Sequence, residues 1–144
     1  MKAVLALLVV VTAILGQQPP NPENQLREAA RAGDNYTVRE LLEKRVDVDT
    51  LDANGNSPLV LATEAGQTET VRLILKYSPN DMSRGRAITS AAGRGFLDMA
   101  GVLLDAGVPS FGRNNGMREA CGLSHLELVR LLLQRGADPD VAAD

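Results

Sequence analysis

The chain has 144 residues, a net charge of −3, and 3% aromatic residues with no Trp. That length holds one domain beside a leader, and so mild a charge makes neither nucleic acid nor an anionic membrane surface the default partner. The lone cysteine, Cys121, excludes an intrachain disulfide framework, and one His with one Cys cannot assemble a transition-metal site.

Residues 1–16, MKAVLALLVVVTAILG, read as a secretory signal peptide, with Lys2 as the positive start and Ala3–Leu15 as an uncharged apolar run. As a helix that run spans about 20 Å, short of the ~30 Å hydrocarbon core. Cleavage near Gly16 is therefore expected, giving a secreted or periplasmic protein that no longer touches the membrane. Ile14 is larger than the residue usual two places before a cut, so the alternative is a membrane-tethered scaffold with an uncleaved anchor.

Residues 17–21 form a short linker, and a first unit follows over about 22–50. Asn21-Pro22-Glu23 is a helix start, Leu26, Ala29 and Ala30 form a buried side, and Gly33 closes the helix. Asp34 or Asn35 caps a partner helix carrying Val38, Leu41 and Leu42. In the second unit, about 51–79, Asn54-Gly55 suggests a type I′ turn. Ser57-Pro58 starts a short helix that Gly66 ends, and Val71, Ile74 and Leu75 line the next. The third unit, about 80–109, is expected to hold helices over 86–94 and 97–106. The fourth, about 110–140, is expected to hold them over 116–123 and 125–135. The stretches 78–85 and 107–115 read as loops, on their prolines and glycines. A frayed polar tail from Ala137, ending in 141–144, closes the chain.

One spacing recurs in all four units. Ala29-Ala30, Gly33, Val38 and Leu41-Leu42 correspond to Ala62-Thr63, Gly66, Val71 and Ile74-Leu75. They correspond again to Ala91-Ala92, Gly95, Ala100 and Leu103-Leu104, and to Ala120-Cys121, Ser124, Val129 and Leu132-Leu133. The leading alanines lie 33, 29 and 29 residues apart. Such a period in paired helices implies a stacked array, because one unit alone cannot bury its apolar faces. The class is all-α, a solenoid of about four helix-turn-helix repeats.

The segment Asp52…Gly55…Ser57-Pro58-Leu59…Leu61-Ala62…Gly66 resembles the opening of an ankyrin repeat. Ser124-His125-Leu126-Glu127-Leu128-Val129, Leu131-Leu132-Leu133 and Gly136-Ala137-Asp138 resemble its second helix and exit. The family's Thr-Pro-Leu-His is Ser57-Pro58-Leu59-Val60 here, and it is replaced by Arg86-Ala87-Ile88-Thr89 and Asn115-Gly116-Met117-Arg118 in the later units. The resemblance implies a non-catalytic module that binds another protein through the concave face formed by loop tips and first helices. On that face it places Asn54, Asn56 and Glu64 of the second unit and Arg84, Arg86, Arg94, Arg113 and Arg118 of the later ones. An arginine-rich patch suits an acidic patch on the partner.

No catalytic constellation is readable. His125, the only histidine, stands at the family's structural Gly-His position, and nothing marks a third group to orient it as a base. Cys121 aligns with buried small residues and reads as a packed thiol. Asp52-Ala53-Asn54-Gly55-Asn56 begins like a calcium loop but has Thr63 where the bidentate acid belongs. No cofactor and no metal are expected. The leucine-rich last helix is the one element that offers a contact, on what is expected to be a monomer.

Overall fold

The computed structural model describes residues 20–142, so the signal-peptide reading of residues 1–16 lies outside the described residues. Eight α-helices and no strand occur among those residues: α1 Pro22–Ala32, α2 Asn35–Glu43, α3 Pro58–Glu64, α4 Thr68–Leu75, α5 Asp81–Arg94, α6 Leu97–Asp105, α7 Ser110–Gly122 and α8 Leu126–Gln134. A 3₁₀ turn, Pro139–Ala142, follows. The helices pair as α1/α2, α3/α4, α5/α6 and α7/α8. Inner helices α1, α3, α5 and α7 stack in one row, outer helices α2, α4, α6 and α8 in another.

Each pair turns the same corner. Gly33, Gly66 and Gly95 adopt left-handed φ of 77°, 75° and 72°, and Ser124 does so at 59°. The next amide then reaches back to the leading alanine, Asp34 N to Ala29 O and Gln67 N to Ala62 O at 2.9 Å, Phe96 N to Ala91 O at 3.0 Å and His125 N to Ala120 O at 2.9 Å. These bonds satisfy carbonyls that a helix end leaves open. Small residues at the stacking positions, among them Ala30, Ala62, Ala91, Ala92 and Ala120, are fully buried and let the inner row lie close.

Local caps agree with the residues. Asn21 accepts from Glu23 N at 2.8 Å, Asp34 from Thr37 N at 3.1 Å and Ser57 from Val60 N at 3.4 Å. The turn at Asn54-Gly55 differs from expectation. Only Gly55 has a positive φ, of 76°. Gly55 N donates to Asp52 O at 2.9 Å and Asp52 N to Asn56 O at 3.0 Å, the three-residue hairpin with a glycine bulge. The Asp52 carboxylate selects this form by accepting the amides of Asn54 and Asn56, each at 2.8 Å.

The larger correction concerns the two shortened units. Helices α5 and α7 begin at Asp81 and Ser110, not at 86 and 116, so most of the expected loops 78–85 and 107–115 is helix. Asn80 caps α5 by accepting from Ser83 N at 2.8 Å. The hairpin of the second unit has no counterpart in the third and fourth, and its place is taken by inner helices of 14 and 13 residues against 7 in α3. Gly85, Gly112 and Gly116 do not break these helices; they are buried where α5 meets α7. A Cβ on Gly112 would stand 2.6 Å from the Gly85 Cα, so only glycines admit that approach.

The tail is also more ordered than expected. Ala137 is buried, Val141 packs on the core, Asp138 N donates to Asn114 Oδ1 at 3.1 Å, and the 3₁₀ turn lies on α7 where a further inner helix would stack.

Candidate functional site

The inner row and the hairpin of the second unit border a recess of about 460 Å³. It is lined by Asn56, Val60 and Glu64 from the second unit, Met82, Gly85, Arg86, Thr89 and Ser90 from α5, and Phe111 and Asn115 from α7. Two apolar side chains stand open there, Met82 at 60% and Phe111 at 42% exposure. Phe111 sits against Gly85, where a Cβ would come within 2.6 Å of its Cζ. The missing side chain therefore seats the ring and keeps the recess open.

Of the eight residues chosen from sequence, the fold brings Asn56, Glu64 and Arg86 together at this recess. Arg86 Nη1 donates to Gly55 O at 2.7 Å and Nη2 to Asn56 Oδ1 at 3.0 Å, which ties the hairpin to α5. Arg86 still has donors to spare, since a guanidinium carries five N–H groups. Asn54 is exposed at the hairpin tip. Arg94 is exposed in the last turn of α5, and Arg118 is exposed on α7, its Nε donating to Val141 O at 3.3 Å.

Arg84 and Arg113 stand elsewhere. Both are half-buried and turn to the connection between α6 and α7. Arg84 pairs with Asp81 and reaches Ala106 O at 3.5 Å, and Arg113 donates to Val108 O. Where no hairpin remains to satisfy these carbonyls, the two side chains do so. The expected run of five recognition arginines is thus divided, three on the inner face and two holding a loop.

Met82 and Phe111 were missed by sequence reasoning. Both lie in the stretches read as loops, where no helical face could be assigned; the signal available was Asn80 as a cap, which starts the helical register early enough to put Met82 and Arg86 one turn apart.

The remaining reactive groups have packing roles. His125 sits over the corner of the preceding unit, where a Cβ on Gly95 would be 2.9 Å from its Cε1. Gln67 covers Gly33 and Phe96 covers Gly66 in the same way. Cys121 is half-buried, whereas its counterparts Ala30, Thr63 and Ala92 are fully buried, each on a helix with the next inner helix stacked on it. Among the described residues no three His, Cys, Asp or Glu side chains gather in a metal-binding group.

Four helix pairs with one corner, one spacing and one stacking direction leave little choice of family, and comparison with known proteins decides it. The family model for ankyrin repeats in three copies matches residues 7–86 and 26–115, and the single-repeat model matches 117–144. The chain belongs to the ankyrin repeat family. A relative, the ankyrin repeat and KH domain-containing protein mask-1 of Caenorhabditis elegans, is 34% identical over 125 residues. These residues are 83% of this chain and 5% of that protein, so the chain spans only a small part of the relative's length. Ankyrin repeats make the chain a protein–protein interaction module, and no enzyme family is indicated.

Proposed function

We propose that this ankyrin module works in an exported compartment, where it binds one partner protein through its inner face and acts as an adaptor or inhibitor without chemistry of its own. The observation that carries this reading is where open apolar groups and unpaired cations coincide. On the outer row, Lys44, Arg72, Arg130 and Arg135 each meet a carboxylate, whereas Arg39, Arg45 and Lys76 meet none among the described residues. Among the described residues Arg86 meets none within 4.0 Å and lines the recess with the exposed Met82 and Phe111, and Arg94 and Arg118 are unpaired further along α5 and α7. A stacked scaffold holds such groups in place before binding, so little ordering entropy opposes association.

The test is capture of the partner from the native extract by three tagged chains: wild type, the inner-face variant Arg94→Glu/Arg118→Glu, and the outer-row control Arg72→Glu/Arg130→Glu. Capture should fail for the inner-face variant alone. Loss with the outer-row control and retention with the inner-face variant would reverse the assignment of faces. The export reading rests on residues 1–16, and the mass of the mature protein tests it, with a chain starting near Gln17 expected. The second reading, a tethered scaffold, is favoured by Ile14 near the cut and predicts an intact N-terminus. No helix among the described residues is long and apolar enough to cross a membrane.

A further inference from the structure

The recess between α3, α5 and α7 has a polarity along its length. Arg86, in the second turn of α5, is fixed beside Gly55 and Asn56, level with the start of α3. Glu64 ends α3 and lines the same recess. The rise of that helix separates the two charges by roughly 10 Å. Between them lie Met82, Val60, Phe111 and the Gly85 floor. The Thr89 hydroxyl gives its proton to Gly85 O at 2.9 Å and is left to act only as an acceptor.

We infer that this recess takes a partner segment presenting one large apolar side chain, with an acidic residue two positions before it, toward the hairpin, and a basic residue two positions after it. The spacing follows from an extended chain, in which alternate residues share a face, so that i, i+2 and i+4 all turn to the recess over ~13 Å and the long Arg86 and lysine side chains take up the difference. The apolar side chain packs against Met82 and the exposed part of the Phe111 ring, which itself covers Gly85. The acidic residue meets the remaining Arg86 donors, and the basic residue meets Glu64. A wholly acidic segment would place a carboxylate against Glu64, and a reversed segment would set like charges together at both ends. This inference rests on the inner-face reading above and specifies the chemistry of the partner.

Fluorescence anisotropy with labelled nonapeptides tests it on the full chain. The probes carry Asp-Ser-Leu-Ser-Lys, Lys-Ser-Leu-Ser-Asp, Asp-Ser-Ala-Ser-Lys or Asp-Ser-Leu-Ser-Asp between Gly-Ser and Ser-Gly ends. The first should bind wild type roughly tenfold more tightly than the other three. With Glu64→Lys the preference should pass to Asp-Ser-Leu-Ser-Asp, and with Ser90→Trp, which fills the recess, binding should disappear. Glu64→Lys does not depend on Ser90→Trp folding, since a lysine suits a helix C-terminus. Absence of saturable binding by the first peptide, an unchanged ranking on Glu64→Lys, or binding that survives in folded Ser90→Trp would each overturn the inference. Arg94 and Arg118 do not line the recess, so intact discrimination in the capture assay with failure here removes this anchor alone.

Discussion

At the corner between α7 and α8, Ser124 holds a φ of 59° where the three earlier units have glycine. A left-handed conformation costs an L side chain roughly 1 kcal/mol, a cost absent for glycine. Ser124→Gly should therefore raise the urea midpoint by an amount equivalent to about 1 kcal/mol. The converse change, Gly66→Ala, should lower it similarly, because a Cβ there meets only ordinary contacts, with Phe96 Cζ at 3.8 Å, and the loss is conformational. Equal midpoints for all three proteins would dismiss the corner as a conformational constraint. A second residue-scale effect concerns acid. The Asn56 amide, ahead of the Asn54 amide and the charges of Arg27 and Arg31, holds the Asp52 carboxyl below its ordinary 3.8, against partial burial. A depressed folded value means that the hairpin's stabilisation is complete above the ordinary value and is lost as pH falls through the lower one. Amide shifts of Asn54 and Asn56 followed by NMR from about pH 6 to 2 should move in that lower range. In Asp52→Asn that step should be missing. Such local devices were legible in the sequence where a polar side chain and a nearby amide suffice, as at Asn21, Asp34 and Ser57. Arg45 and Ser78, at φ of 63° and 53°, carry no residue-type signal for the left-handed region they occupy.

Among the helices, the shortened period of 29 residues was visible, but its cause was not. A missing hairpin and a missing helical turn give the same offset between alanines. Gly85 and Gly112, which read as loop residues, and Gly116, which read as a helix start, form the contact surface between α5 and α7. The distinction depends on a neighbouring helix that local sequence does not encode. It can be tested by comparing alanine substitutions at buried and open glycines. Helix propensity alone favours alanine over glycine by about 1 kcal/mol. At Gly101, mid-helix in α6 with no neighbouring atom within 4 Å of a built Cβ, Gly101→Ala should realise that gain. At Gly112 the new methyl would meet backbone, the Gly85 Cα at 2.6 Å, and Val108 Cγ1 at 2.9 Å. The two helices would have to separate, so Gly112→Ala should destabilise by about 1–3 kcal/mol despite its better propensity. Gly85→Ala meets the ring of Phe111, which can swing outward, and should cost less than Gly112→Ala while exposing the ring. Chemical denaturation of the three variants gives the order. A Gly112→Ala protein as stable as Gly101→Ala would contradict the close α5–α7 approach.

Over the described residues, each helix pair packs on the adjacent pairs, with Asp49 of the first unit also accepting from Asn80 N and Ser83 Oγ of the third. Stability is therefore close to a sum of unit and interface terms. The order of helices and their pairing could be read from the repeated spacing, because the same residues serve the same contact in every unit. The recess could not, since Met82, Phe111 and Glu64 become neighbours only when three inner helices lie in register. Among the described residues only the 3₁₀ turn stacks on the far side of the α7/α8 pair. In the last outer helix Leu126 is 69% exposed and Leu133 42%, while Leu104, the counterpart of Leu133, is 9% exposed. The last inner helix is better protected, because Ala137 and Val141 pack against the core and Asn114 and Arg118 of α7 hold the turn that carries them. If that turn substitutes for a further inner helix, ending the chain after Gly136 should uncover α7 and weaken the fourth unit first. Loss of the two apolar contacts corresponds to about 2 kcal/mol. Hydrogen exchange followed by mass spectrometry should show the loss confined to residues of α7 and α8, with α1 to α4 protected as in the full chain. Uniform acceleration along all eight helices would mean that the stack melts as one cooperative block, and unchanged exchange in α7 would deny the turn its capping role.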